Sequence, residues 1–260
     1  MKSACTIVAV LLLIAAVSPL PASEIPQAER RSGFSFMAPE TQAMQNDDTA
    51  NPGMLWVLDG EQLWKARNGA AGRACADCHG DARESMKGVA ARYPAFDKAL
   101  GRPVNLEQRI NMCRATHQQA TPLAYESREL LALTAFVARQ SRGLAIETGA
   151  NPELAPFVAK GRDLFMQRRG QLNLSCANCH DDNWDKRLAG SAITQAHPTG
   201  YPIYRLEWQS LGSLQHRLRG CISGIRAQAY DYGAPELVEL ELYLMSRARG
   251  MPIETPAVRP

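Results

Sequence analysis

The sequence predicts a mainly α-helical protein of two tandem modules related by internal duplication, preceded by an irregular N-terminal arm. Three observations carry this. First, local sequence recurs at offsets of 100 to 108 residues: Asn51-Pro52 with Asn151-Pro152, Gly60, Leu63 and Trp64 with Gly161, Leu164 and Phe165, and Tyr93-Pro94 with Tyr201-Pro202. Leu106, Arg109 and Cys113 likewise match Leu214, Arg217 and Cys221, and the run from Arg142 to Thr148 matches that from Arg249 to Thr255. Second, Leu130, Leu131, Leu133, Phe136 and Val137 fall at helical spacing between Glu129 and Arg142, and Asp59 can cap a helix that places Leu63 and Trp64 on one face. Third, Pro94, Pro103, Pro122, Pro198 and Pro202 break the chain between such stretches, and no β-hairpin signal stands out.

Taken in order, Lys2, an apolar run from Ala4 to Val17 and the small-residue stretch from Ser18 to Ala22 have the charge, length and cleavage-site character of a Sec-type leader over 1–22, cut after Ala22 and removing Cys5. Residues 23–50 are polar, with Pro26, Pro39 and Asn46-Asp47-Asp48, and form the arm. The modules occupy 51–148 and 151–260. The chain has 260 residues, 45% of them hydrophobic, enough for a packed core. Its 29 basic and 26 acidic side chains leave a net charge of +3, too little to hold nucleic acid or an anionic membrane surface. After the leader no apolar run reaches the ~18 residues of a membrane span, so an exported protein in an oxidising compartment is expected.

Six of the seven cysteines follow the leader. Cys75-Ala-Asp-Cys78-His79 and Cys176-Ala-Asn-Cys179-His180 are both C-x-x-C-H, and each is followed by one lone cysteine, Cys113 and Cys221. With seven cysteines and five histidines in the chain, two copies are not chance. The pattern is that of c-type haem attachment. Cys75, Cys78, Cys176 and Cys179 would hold two covalent haems through thioether links, with His79 and His180 as proximal iron ligands. Each module is then expected to be a class I cytochrome c-like haem domain. A Cys3His zinc site in each module is the alternative use of these residues.

For the distal iron position, Met86, Met112, Met245 and Met251 lack repeat partners, as do His117 and His197. Only Cys113 and Cys221 recur, and they are assigned as thiolate ligands; a Cys113 to Cys221 disulfide is the alternative. A thiolate favours ferric iron and a low potential, which suits neither a Met-ligated electron shuttle nor an open oxygen site. A thiolate is also nucleophilic and can carry extra sulfur, so sulfur chemistry becomes an option.

The second module differs near its sulfur: Gly220 stands for Met112, Arg219 for Asn111, His216 for Gln108 and Arg247 for Gln140. Bulk falls and positive charge rises beside Cys221, which suits a dianion and close approach of a partner chain. In a helix, Arg217 lies at i−4 on the cysteine's face and can donate two hydrogen bonds to an oxyanion. Because Arg109 occupies the same place in module one, both arginines could instead neutralise haem propionates. Arg247 is a weaker candidate for the anion.

These features resemble the SoxA family, haem-bearing subunits of the SoxAX cytochromes of bacterial sulfur oxidation, in its dihaem form. The resemblance rests on the runs from Arg31 to Met37, Pro39 to Gln45 and Asn51 to Trp56, the two C-x-x-C-H motifs, and Arg217 to Cys221. It implies a periplasmic L-cysteine S-thiosulfotransferase that joins thiosulfate to a cysteine of the SoxYZ carrier and passes two electrons to a SoxX cytochrome partner in a heterodimer. It further implies that Cys221 carries a persulfide and that Arg217 binds substrate. A dihaem electron carrier without substrate chemistry and a dihaem peroxidase are the rivals; the repeated distal cysteine speaks against the second.

Overall fold

A computed structural model describes residues 25–260. The expected leader, with Cys5, lies outside the described residues. The arm contains two short 3-10 turns and a helix, α1 (Pro39–Asn46). Module one follows as α2 (Met54–Lys65), α3 (Cys75–His79), α4 (Ala82–Ser85), the hairpin β1 (Ala95–Asp97) and β2 (Arg102–Val104), α5 (Leu106–Cys113) and α6 (Arg128–Arg139). Module two repeats the plan with α7 (Ala155–Met166), α8 (Cys176–His180), a second hairpin β3 (Arg187–Leu188) and β4 (Ser191–Ala192), then β5 (Ile203–Arg205), β6 (Ser210–Gly212), α9 (Leu214–Gly224), α10 (Pro235–Arg247) and β7 (Ala257–Arg259). Among the described residues no helix is long and apolar enough to cross a membrane.

The mainly helical class and the duplication agree with this architecture, down to strand register. Asp97 faces Arg102 in β1–β2, and the residues 108 further on, Arg205 and Ser210, face each other in β5–β6. These hairpins correct the expectation of no hairpins: strands of two or three residues are too short for alternation to show. Two further expectations change. Asp59 lies inside α2 rather than at its start, and its carboxylate accepts two hydrogen bonds from Arg128 at the head of α6. The arm is an ordered strap. Asp48 pairs with Arg139 and Arg142 of module one at 2.7 and 2.6 Å. On module two, the Arg31 amide donates to Gln195 at 2.6 Å and the Val258 amide donates to Gln45 at 3.1 Å.

Each module is held by one close helix crossing, α2 on α6 and α7 on α10. The module-one core gathers Trp56, Val57, Trp64, Leu131 and Phe136, and the module-two core Phe165, Leu237, Leu240, Tyr243 and Leu244. The repeated R-G-x-x-I-E-T segments then pair with each other: the Ile146 amide donates to Met251 at 2.9 Å, and the Ile253 amide donates to Leu144 at 2.9 Å. Ile146, Met245 and Ile253 fill a third apolar cluster at this seam.

The seam also brings together two carboxylates, one buried and one half-buried. Glu241 of α10 accepts from Asn105 and Gln215 at 3.2 and 3.3 Å, and Glu107 of α5 lies near it. Burial pushes both acids up, and the neighbouring Glu241 charge pushes Glu107 further. The unfolded chain ionises both near the ordinary value of 4.5, whereas the fold retains protons above it. The fold therefore binds more protons than the unfolded chain, and the pair makes stability fall as pH rises from there toward neutrality. Glu107→Gln is expected to flatten this slope. A denaturation midpoint measured between pH 5 and 8 that keeps its slope in the variant would rule the pair out as its source.

Candidate functional site

In both modules a five-residue helix presents the C-x-x-C-H motif. In α8, Ser175 and Asn178 cap each other: the Asn178 amide donates to the Ser175 hydroxyl at 3.3 Å, and the Ser175 amide donates to the Asn178 side chain at 3.1 Å. In α3, Asp77 accepts from the Ala74 amide at 2.9 Å. These caps fix helices too short to persist alone, and so fix the cysteine pair and the histidine that follows.

The residues fit a haem. Beside α3 lies a cavity of about 590 Å3 with mostly apolar walls, into which Cys75, Cys78, His79 and Cys113 all open. The volume is that of a cofactor-sized cleft. In module two, Nδ1 of His180 lies 2.6 Å from the Thr194 carbonyl. A carbonyl only accepts, so Nδ1 carries the proton and Nε2 keeps the lone pair a metal ligand needs. Burial, with Arg217 and Arg247 nearby, holds the His180 imidazole below its usual pKa, which favours the neutral ligand form.

The lone cysteines sit as the repeat requires. Cys113 ends α5 and lines the module-one cavity, while Cys221 lies on α9 near Cys176 and Cys179. All six cysteines of the described residues are free thiols, so the two lone cysteines are not joined in a disulfide. Among the described residues no three or more Cys, His, Asp or Glu side chains gather closely enough to hold a bare metal ion, so the Cys3His zinc alternative has no support. Met86 and His117 also open into the module-one cavity; His197 is instead buried, with Nδ1 2.9 Å from the Arg31 carbonyl.

The basic residues assigned to the Cys221 site divide. Helix α9 places Arg217 one turn before Cys221, with its side chain exposed. Arg247 corrects the expectation of an anion-binding or solvated side chain. Its side chain is 5% exposed and pairs at 2.6 Å with Asp181, which directly follows the haem motif. Its guanidinium also stacks 4.6 Å from the Phe165 ring. Arg247 is thus committed to a buried ion pair under α8, where it braces the motif. Arg219 stacks over Tyr232 at 4.5 Å and His216 contacts Tyr232 and Trp208, and both leave α9 on faces other than the one Arg217 shares with Cys221. Missed in their place was Arg205 on β5, which burial and then the charge of Arg217 hold below its usual pKa. The signal was available, since Arg205 stands where module one has Asp97.

A family model described as SoxA/TsdA, cytochrome c domain matches residues 59–146 and 160–253, one stretch in each module. The L-cysteine S-thiosulfotransferase subunit SoxA of Pseudaminobacter salicylatoxidans is 39% identical over 90% of this chain and 82% of its own length. Its counterpart in Rhodovulum sulfidophilum is 37% identical over 89% and 80%. Among solved structures, SoxXA from P. pantotrophus superimposes with a TM-score of 0.86 at 32% identity, covering 89% of this chain and 87% of that one.

Proposed function

The chain belongs to the SoxA family of cytochrome c proteins, and from that membership we propose that it is an L-cysteine S-thiosulfotransferase subunit whose chemistry takes place at Cys221. The single observation that supports this placement is the exposed Arg217 one helical turn from Cys221 in a module where neither has a carboxylate or disulfide partner.

Two haems c are proposed, held covalently by Cys75 and Cys78 and by Cys176 and Cys179, with His79 and Cys113 on one iron and His180 and Cys221 on the other. When bound, they supply one-electron redox capacity next to the sulfur site. The overall change joins thiosulfate to a carrier cysteine: a thiol and thiosulfate become a cysteine S-thiosulfonate, one proton is released to water, and two electrons leave to an oxidised cytochrome partner. Arg217 holds the sulfonate oxygens and turns the outer sulfur toward Cys221. With Cys221 as a persulfide, that outer sulfur bonds to the terminal persulfide sulfur as two electrons depart. The carrier thiolate then attacks the sulfur bearing the sulfonate, forms the product, and returns the Cys221 persulfide. The carrier is proposed to be SoxYZ, the partner SoxX, and the compartment the periplasm, reached through the leader at 1–22. In support, the matched crystal structure is of a SoxXA complex.

Incubating the haem-loaded complex with thiosulfate and carrier should yield a thiosulfonated carrier and two electrons per adduct. Reduction of the cytochromes with no adduct would favour plain electron transfer. Gly220 offers a sharper check on carrier access. A Cβ there would meet nothing within 4 Å, so the fold itself does not require glycine beside Cys221. Gly220→Met, the module-one residue, should therefore leave stability unharmed while lowering carrier-dependent turnover by about tenfold or more through steric exclusion. An unchanged rate would mean that the carrier does not approach over this helix face.

A further inference from the structure

We propose that Arg205 is a second anion-binding residue at Cys221, working with Arg217 to favour doubly charged oxyanions, and that module one cannot do the same because Asp97 stands in its place. The proposal rests on the reading of Cys221 as the thiosulfate site and adds to it the residue that sets charge preference.

The duplication makes the comparison direct. Asp97 and Arg205 occupy the same register position on β1 and β5, and Arg109 and Arg217 the same turn of α5 and α9. In module one, Arg109 donates to Asp97 at 2.6 Å, and the Asp97 side chain is 9% exposed. Asp97 is anchored as well by the Leu100 amide at 2.9 Å. The Arg109 charge is thus cancelled within the protein before any ligand arrives.

In module two the carboxylate has become a guanidinium. Among the described residues Arg217 has no ion-pair partner, and Arg205 has only Glu207, at 2.9 Å, whose own side chain is 56% exposed. The Arg205 side chain is 11% exposed, lies 5.0 Å from the Trp208 ring, and leaves its Nε buried without a hydrogen-bond partner. Burial first, and then the charge of Arg217, hold the Arg205 pKa below its usual value. Two guanidiniums placed by the register that pairs Asp97 with Arg109 in module one, one of them a turn before Cys221 and the other with an unsatisfied buried donor, form a site that a dianion completes. Thiosulfate, with three sulfonate oxygens and an anionic outer sulfur, can accept from both guanidiniums at once, whereas a single arginine distinguishes a dianion from a monoanion weakly.

The test uses the haem-loaded complex, with thiosulfate as substrate and sulfate as a non-reacting dianion. Arg205→Gln should raise the KM for thiosulfate and the inhibition constant of sulfate about tenfold, with kcat and the haem absorption spectrum unchanged. Arg205→Asp, which rebuilds the module-one pair, should raise them further. Glu207→Gln, an exposed change that removes the competing carboxylate, should lower both about two- to threefold. Unchanged constants in all three variants overturn the proposal. So does a shifted spectrum or lost haem in the Arg205 variants, which would assign Arg205 to the haem propionates. If the unaltered complex shows no thiosulfate turnover, the functional reading fails by itself; sulfate affinity by calorimetric titration then still decides whether Arg205 binds a dianion.

Discussion

Cys221→Met is expected to leave the fold and both haem attachments in place and to abolish thiosulfate transfer, a loss of at least about a thousandfold in turnover. The proposed thioether links use Cys176 and Cys179, which the substitution does not touch, and methionine can still occupy the proposed distal position. Cys221 is half-buried on α9 rather than in the core, and leucine-sized side chains such as methionine suit helix interiors, so little stability is at stake. A thioether, however, can neither carry a terminal sulfur nor leave in an exchange with the carrier thiolate. Cys113→Met, the matching change in module one, alters a haem environment without touching the sulfur site, and should retain most of the activity. Haem content and absorption of each variant, read beside the amount of thiosulfonated carrier formed, separate these outcomes. Substantial transfer by Cys221→Met would move the chemistry elsewhere.

The second large effect belongs to the fold. Gly161→Ala should destabilise module two by about 3 kcal/mol or more, at or beyond the upper end of overpacking costs, and Gly60→Ala should do the same in module one. At both positions an added Cβ runs into backbone of the facing helix: at Gly60 the Ala132 carbonyl, with the Phe136 Cβ at 2.6 Å, and at Gly161 the Glu239 carbonyl, with the Tyr243 Cβ at 2.7 Å. A flexible side chain could give way, but a carbonyl fixed in a helix cannot. The two helices must part, and in module one this moves Trp64, which lines the cavity beside α3. Alanine ordinarily improves a helix by ~1 kcal/mol over glycine, so a measured loss isolates the crossing contact. Thermal denaturation of the haem-loaded protein checks it; an unchanged midpoint in either variant would mean the helices are not packed as closely as described.

Much of this molecule was legible in sequence because duplication turns single residues into pairs. The match of Gly60 with Gly161 was visible as part of the repeat, but that both lie where two helices cross shows only in the packing. The recurrence of Cys113 and Cys221 separated them from unpaired Met86 and His117. The R-G-x-x-I-E-T repeats were visible too, although nothing in one copy reveals that its pairing partner is the other copy. What escaped reading depends on where side chains point. Arg247 looked like an available cation, but α10 turns it inward to Asp181, a residue 66 positions away in sequence. Arg219 and His216 follow the same logic, since residues two and five before Cys221 leave the helix on other faces than Arg217. The arm read as irregular because its bonds run to partners more than 90 residues distant, such as Asp48 to Arg142. Arg205 could have been found by aligning β1 with β5 for charge as well as for identity, since a reversal of sign at one repeated position is itself a signal.

Whether Cys221 or Cys113 is the sulfur at work is tested most directly by mass spectrometry of the peptides of the purified haem-loaded protein. A Cys221 peptide heavier by about 32 Da, the mass of one added sulfur, and sensitive to thiol reductant is expected, with a Cys113 peptide of unmodified mass. An unmodified Cys221 peptide in protein that transfers thiosulfate, or the added sulfur on Cys113 instead, would contradict Cys221 as that sulfur.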